Sequence, residues 1–137
     1  FFAPVFKYRN TRETHPVNDR FTFIKGYNYD GSTGGGRTKI AKSLASTSGW
    51  TSSTNTGSVG NTDYPEYRDK SGFTGLPGGY HNINGNFYYI GDQGYWWSAT
   101  EDNATHAWNR SMRYYNGDVV RISTEKESGF SVRCIKD

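Results

Sequence analysis

Three histidines are the first residues in the sequence whose side chains could bind a metal. His15, His81 and His106 are far apart and stand in different turn-like segments. They form neither an HExxH pattern nor a pair at helical spacing, the arrangements that common zinc sites use. We therefore predict no metal site from the histidines.

Two adjacent carboxylates, Glu101 and Asp102, are the next candidates, in the segment ATEDNATHAW. Glycoside hydrolysis needs carboxyl groups that flank the scissile bond, about 5 to 9.5 Å apart, whereas consecutive side chains usually diverge. We interpret the pair as part of an exposed loop. Its oxygen atoms could hold Ca²⁺, although the EF-hand spacing is absent, so we expect no cofactor and keep calcium as the alternative. Without a convergent catalytic set, we predict that the protein is not an enzyme.

Composition limits the classes of protein that remain. The chain has 137 residues, of which 33% are hydrophobic and 17% aromatic, so we expect one domain over residues 1–137 with a core built largely from Tyr, Phe and Trp. A net charge of +3 without a basic run or a recognisable module argues against nucleic-acid binding. No apolar run approaches the ~20 residues of a membrane span. With one cysteine, Cys134, no intramolecular disulfide can form.

The elements that must position these residues are mostly short strands. YYIG and GYWWSAT read as strands, Asn116 and Gly117 mark a hairpin turn, and GFSVRC reads as a last strand with Phe130, Val132 and Cys134 on one face. Residues 14–27 fit either a helix capped by Asn18 or Asp19 or a strand. The predicted class is α+β, with short antiparallel strands and one or two short helices. The predicted structural core is Trp50, Phe73, Leu76, Tyr80, Trp96, Trp97, Phe130, Val132 and Cys134.

Residues 70–137 carry a family resemblance. The segments SGFTGLPGGY, GNFYYIGDQGYWWSATE, AWNRSMRYYNGDVVRI and GFSVRCIKD resemble, in letters, order and spacing, the Fibrobacter succinogenes major paralogous domain. The earlier part is similar to the family's helix, which favours a helix over residues 18–25. The resemblance implies a compact, loop-rich, C-type-lectin-like domain over residues 14–137, in a bacterial module that is extracellular or at the cell surface. Residues 1–13 are then an edge strand or an assembly segment.

The predicted hairpin over residues 107–123 is the candidate binding site. One face of its first strand mixes tyrosine with small and amide side chains, as adaptable binding surfaces do. We predict ligand contacts from seven residues: Asn109, Ser111, Arg113, Tyr115, Asn116, Asp118 and Arg121. The adjacent Trp96 and Trp97 must point to opposite faces of a strand, so we interpret both as parts of the framework and not as a flat platform for a sugar.

Two functions follow from these patterns. The first is a non-catalytic binding or adhesion module that recognises a glycan or a protein ligand. The alternative is a structural subunit, or the tip, of an extracellular filament or surface assembly. In that case the apolar segment from Phe1 to Phe6 would pack against a neighbouring copy or add a strand to it.

Overall fold

A five-stranded mixed sheet organises the part of the chain that the computed structural model describes, residues 26–133. Its strands are β1 (Gly78–His81), β2 (Phe87–Ile90), β3 (Gln93–Glu101), β4 (His106–Arg113) and β5 (Val120–Glu125), in the spatial order β2-β1-β3-β4-β5. The predicted helix over residues 18–25, the segment from Phe1 to Phe6 and Cys134 lie outside the described residues.

Helical structure is short throughout the described residues. It consists of a four-residue helix, α1 (Ala41–Leu44), and two 3₁₀ turns at Gly36–Thr38 and Pro65–Tyr67. The fold is mainly β, so the predicted α+β, C-type-lectin-like class is wrong. The physical reason is that residues 26–77 are rich in Gly, Ser and Thr, which favour turns over helix interiors, and that much of their backbone hydrogen bonding is between distant loops.

The sheet is also not purely antiparallel. β1 and β3 are parallel and pair at Gly79 and Gly94, whereas the other neighbouring strands are antiparallel. The segment predicted as the last strand lies between β1 and β3. Gly129 bridges to His81 of β1, and Ser131 bridges to Trp96 of β3. Residues 129–132 therefore form two isolated bridges and not a regular strand, and we call this segment the terminal wedge.

The hydrophobic core packs against one face of the sheet. The side chains of Trp96 of β3 and Met112 of β4 are buried on this face. The Trp96 ring contacts Phe73 edge to face, with 5.4 Å between ring centroids. Trp50 packs half-buried against this cluster, and its indole donates to the Gly75 carbonyl at 3.2 Å. The buried hydrophobic residues are Ile40, Ala41, Leu44, Ala45, Val59, Phe73, Trp96, Met112 and Val119.

Two predicted core residues are not in the core. Leu76 is 59% exposed and Val132 is 72% exposed, so both predictions are wrong. Val132 lies in the terminal wedge, which in the described part of the chain pairs only through its bridges at Gly129 and Ser131. By contrast, Phe130 in the same wedge is half-buried and stacks on Trp97 at 4.4 Å between ring centroids.

Candidate functional site

The turn between β4 and β5 is fixed by hydrogen bonds from distant parts of the chain. Four consecutive carbonyl oxygens, those of residues 114–117, each accept one bond. Their donors, in order, are the Gly60 amide at 2.6 Å, the Asn55 Nδ2 at 2.9 Å, the Val59 amide at 3.0 Å and the Ala41 amide at 3.0 Å. A turn with all these groups occupied is held in one conformation before any ligand arrives, which reduces the entropy lost on binding.

Two tyrosines of this turn form one side of an open cleft. The rings of Tyr114 and Tyr115 are nearly perpendicular, with 5.1 Å between their centroids and an angle of 85°. Residues 52–55, with the sequence Ser-Ser-Thr-Asn, form the other side, and the cleft has a volume of about 370 Å³. We call this site the tyrosine cleft. It combines rigid aromatic surface with short hydroxyl and amide side chains, none of them charged.

A buried lysine anchors residues 57–63, which follow the loop wall of the cleft in the chain. Lys42 of α1 is fully buried, and its Nζ donates to the Asn61 carbonyl at 2.7 Å and to both the carbonyl and the Oδ1 of Asp63 at 2.5 Å. The second carboxylate oxygen of Asp63 accepts from the Gly57 amide at 2.7 Å. Loop residues 57–63 are thus tied to the core by a cation with all three of its donors occupied.

Two of the predicted ligand contacts are in the interior. Asn109 and Ser111 are both fully buried, so the prediction that they contact a ligand is corrected. The Asn109 amide donates to the Ile122 carbonyl at 3.0 Å and to the Thr124 hydroxyl at 2.9 Å. Alternation had correctly grouped the two side chains on one face of β4, but it cannot tell which face is exposed.

The structure disperses the other predicted residues. Tyr115 lines the tyrosine cleft, and Asn116 and Asp118 belong to the same turn. Arg113 lies half-buried at the end of β4. Arg121 stands opposite Arg110 in the β4–β5 register, hence on the other face of the sheet from Arg113, and its guanidinium lies 3.5 Å from the centre of the Trp108 ring. Arg121 is therefore not part of the cleft.

Sequence reasoning missed the loop wall of the cleft. Residues 52–55 looked only like an exposed Ser/Thr-rich loop. Asn55 meets Tyr115 across 60 positions of sequence, and no local pattern indicates such a contact. The signal that was present is compositional, since Ser, Thr and Asn next to tyrosines are typical of binding surfaces.

The adjacent carboxylates show ordinary surface interactions. Glu101 and Asp102 are exposed; Lys126 donates to Glu101 at 2.8 Å, and Ser123 donates to Asp102 at 2.8 Å. The hydrogen bond from Lys126 lowers the pKa of Glu101, so this carboxyl is unsuited to act as an acid at neutral pH. Within residues 26–133, no three His, Cys, Asp or Glu side chains are grouped to hold a metal ion.

No helix in the described residues has the length and apolar character needed to cross a membrane. Comparison with known proteins identifies one family. The model of the Fibrobacter succinogenes major domain matches residues 26–136, a range that contains all five strands and both sides of the tyrosine cleft. No curated protein and no solved structure matches the chain.

Proposed function

The chain belongs to the Fibrobacter succinogenes major domain family, and we propose that this member is a non-catalytic binding module whose tyrosine cleft takes a glycan. The observation that carries the proposal is the cleft itself: two perpendicular tyrosine rings on an anchored turn, facing a row of hydroxyl and amide side chains. We further propose that the module acts outside the bacterial cell or at its surface, where such ligands are met.

The chemistry of the cleft favours a glycan over a charged peptide. A sugar ring presents an apolar C–H face, which packs against an aromatic ring, and hydroxyl groups that both donate and accept hydrogen bonds. The six residues that line the cleft offer matching groups and carry no charge. Because the turn carbonyls are already bonded within the protein, the hydroxyls of residues 52–54 and the bonding capacity that the Asn55 amide keeps beyond its bond to Tyr115 are the polar groups available to the ligand.

A glycan array followed by calorimetry tests this proposal. Tyr115→Ala should weaken binding of the identified glycan at least tenfold, about 1.4 kcal/mol, without changing the melting temperature. Tyr67→Ala is the matched control, because Tyr67 is half-exposed on the 3₁₀ turn Pro65–Tyr67 and does not line the cleft. Unchanged glycan binding by Tyr115→Ala, or binding to proteins but to no glycan, would contradict the proposal.

A structural subunit is the second candidate, and strand β2 favours it. All four residues of β2 are exposed, with Phe87 and Ile90 each at 68%, and within the described residues this strand pairs only with β1. It carries no Lys or Pro, which commonly protect such edges. An edge of this kind accepts a strand from a second copy. Light scattering over a range of concentrations tests this, with Ile90→Lys as the variant: a wild type that stays monomeric throughout would exclude assembly through β2.

A further inference from the structure

A second aromatic surface lies beside the tyrosine cleft. It consists of Tyr80 of β1, Tyr88 and Tyr89 of β2, and Tyr95 of β3, and we call it the tyrosine ledge. Tyr80 is at its centre, with ring centroids 5.7 Å from Tyr88, 6.1 Å from Tyr89 and 5.3 Å from Tyr95. Tyr88 is 41% exposed and Tyr89 is 49% exposed, so much of this aromatic area faces solvent.

The ledge depends on an unusual backbone conformation. Consecutive residues of a regular strand point to opposite faces, yet Tyr88 and Tyr89 both lie against Tyr80, with 6.3 Å between their own rings. The cause is Tyr89, whose φ is +59°, a left-handed conformation that is disfavoured for an aromatic residue. Gly79 stands opposite with φ +62°, and a Cβ atom there would collide with the Tyr88 carbonyl. Strain that gathers exposed tyrosines on one side is typical of a functional surface.

One residue, Asp92, joins the ledge to the cleft. Its amide donates to the Tyr89 carbonyl at 3.0 Å, and its own carbonyl accepts from the Tyr114 amide at 2.8 Å. Its carboxylate accepts a hydrogen bond from the Thr51 hydroxyl at 2.5 Å, directly before the loop wall of the cleft. The two surfaces are therefore fixed relative to each other through the backbone at Asp92.

The charge of the surface limits the ligand. The tyrosine ledge, like the lining of the tyrosine cleft, contains no charged residue, and the Tyr95 hydroxyl donates to Gln93 at 2.6 Å. Two charges of opposite sign adjoin the two surfaces: the Asp92 carboxylate, which is bonded to Thr51, and Arg113, whose charge acts on Tyr95. A surface of this kind is complementary to an uncharged ligand with apolar faces.

From these observations we infer that the tyrosine ledge is an extended subsite for the same ligand, and that the ligand is a linear, uncharged oligosaccharide that continues from the cleft across Tyr89 and Tyr88. The inference rests on the proposed function and deepens it, because a single sugar would occupy only the cleft. The protein therefore distinguishes sugar chains by their length and binds longer chains more tightly.

Calorimetry with neutral oligosaccharides of two lengths tests the inference. The probes are cello-, xylo-, manno- and malto-oligosaccharides of two and of six sugar units, with wild type, Tyr88→Ala and Tyr89→Gly. Glycine at position 89 removes the ring and keeps the positive φ without strain, so this variant should remain folded. Phe87→Ala is the control, because Phe87 is exposed on the same strand but its ring packs on His81.

We expect one series in which the six-unit sugar binds at least tenfold more tightly than the two-unit sugar, about 1.4 kcal/mol. Tyr88→Ala and Tyr89→Gly should remove that advantage and leave the two-unit affinity unchanged, whereas Phe87→Ala should change neither. If both lengths bind with equal affinity and Tyr115→Ala abolishes that binding, the ledge is not a subsite and the cleft alone binds the sugar. Binding only to charged glycans would refute the inference that the ligand is uncharged. Binding to no glycan would refute both the ledge as a subsite and the proposed function.

Discussion

Replacing the buried lysine, Lys42→Met, should destabilise the domain strongly. Methionine has similar length and keeps the packing around α1, so the change removes mainly the charge and its three hydrogen bonds. Two backbone carbonyls, those of Asn61 and Asp63, and one carboxylate oxygen would then lose their donor. Residues 57–63, which follow the loop wall of the tyrosine cleft, would lose their anchor at the same time.

The expected size follows from the burial of the two partners. The side chain of Lys42 is 1% exposed and that of Asp63 is 26% exposed. Breaking a buried ion pair by removing one partner costs about 3–5 kcal/mol. Water can reach the Asp63 carboxylate in part, so we expect the lower end of this range, about 3 kcal/mol. For a domain of this size that corresponds to a fall in melting temperature of about 10–15 °C.

Thermal unfolding followed by circular dichroism measures the change, and the chain provides a matched control. Lys39 pairs with Asp30 at the same distance, 2.5 Å, but their side chains are 36% and 27% exposed. Because exposed pairs contribute little, Lys39→Met should leave the melting temperature within about 2 °C of wild type. The two pairs share residue type, partner type and distance; they differ in the burial of the lysine and in the two backbone carbonyls that Lys42 also bonds.

Two results would refute this reasoning. A fall of less than about 3 °C for Lys42→Met would correspond to only about 1 kcal/mol, too little for a buried cation with three acceptors. Equal falls for Lys42→Met and Lys39→Met would show that neither burial nor the two backbone acceptors strengthen the Lys42 pair.

Three further predictions concern the sheet. Trp96→Ala should lower the free energy of unfolding by about 3–5 kcal/mol, and Trp97→Ala by less, because Trp96 is buried and Trp97 is half-buried; equal losses in urea unfolding would contradict this. Ser111→Ala should leave that free energy unchanged or raise it by up to about 1 kcal/mol, because the buried hydroxyl has no hydrogen-bond partner among residues 26–133; a clear loss would contradict this. Burial raises the pKa of Tyr95 above its ordinary value of 10.0, so its contribution to stability is present below pH 10 and is lost as the pH rises through the folded-state pKa. Tyr95→Phe should therefore lose less stability above pH 10 than wild type, and identical alkaline unfolding curves would contradict this.

Local patterns predicted some elements because the interactions that form them are local. The β4–β5 hairpin, whose strands pair from Ser111–Val120 to His106–Glu125, follows from alternating residues on either side of the Asn116–Gly117 signal. The opposite orientations of Trp96 and Trp97 follow from strand geometry alone. The fold class was predicted wrongly, because residues 26–77 form turns and loops joined by hydrogen bonds between distant segments, and their helical structure is limited to α1 and two 3₁₀ turns.

Burial and the location of the site could not be predicted in this way. The local pattern of Asn109 and Ser111 is that of a solvated strand face, yet both are buried. Leu76 looks like a core residue, yet it is 59% exposed. In each case the outcome depends on which distant segment packs over the strand, and alternation contains no information about that segment.

The sequence by itself determined strands β2 and β3, the β4–β5 hairpin with its turn, and which side chains share a face of these strands; it also contains no HExxH or EF-hand spacing. Only the tertiary structure decided that Asn55 meets Tyr115, that Asp92 connects the cleft to the tyrosine ledge, and that a buried lysine holds loop residues 57–63. The physical reason is that φ/ψ preferences and side-chain period act between neighbouring residues, whereas a binding surface is made by contacts between residues tens of positions apart.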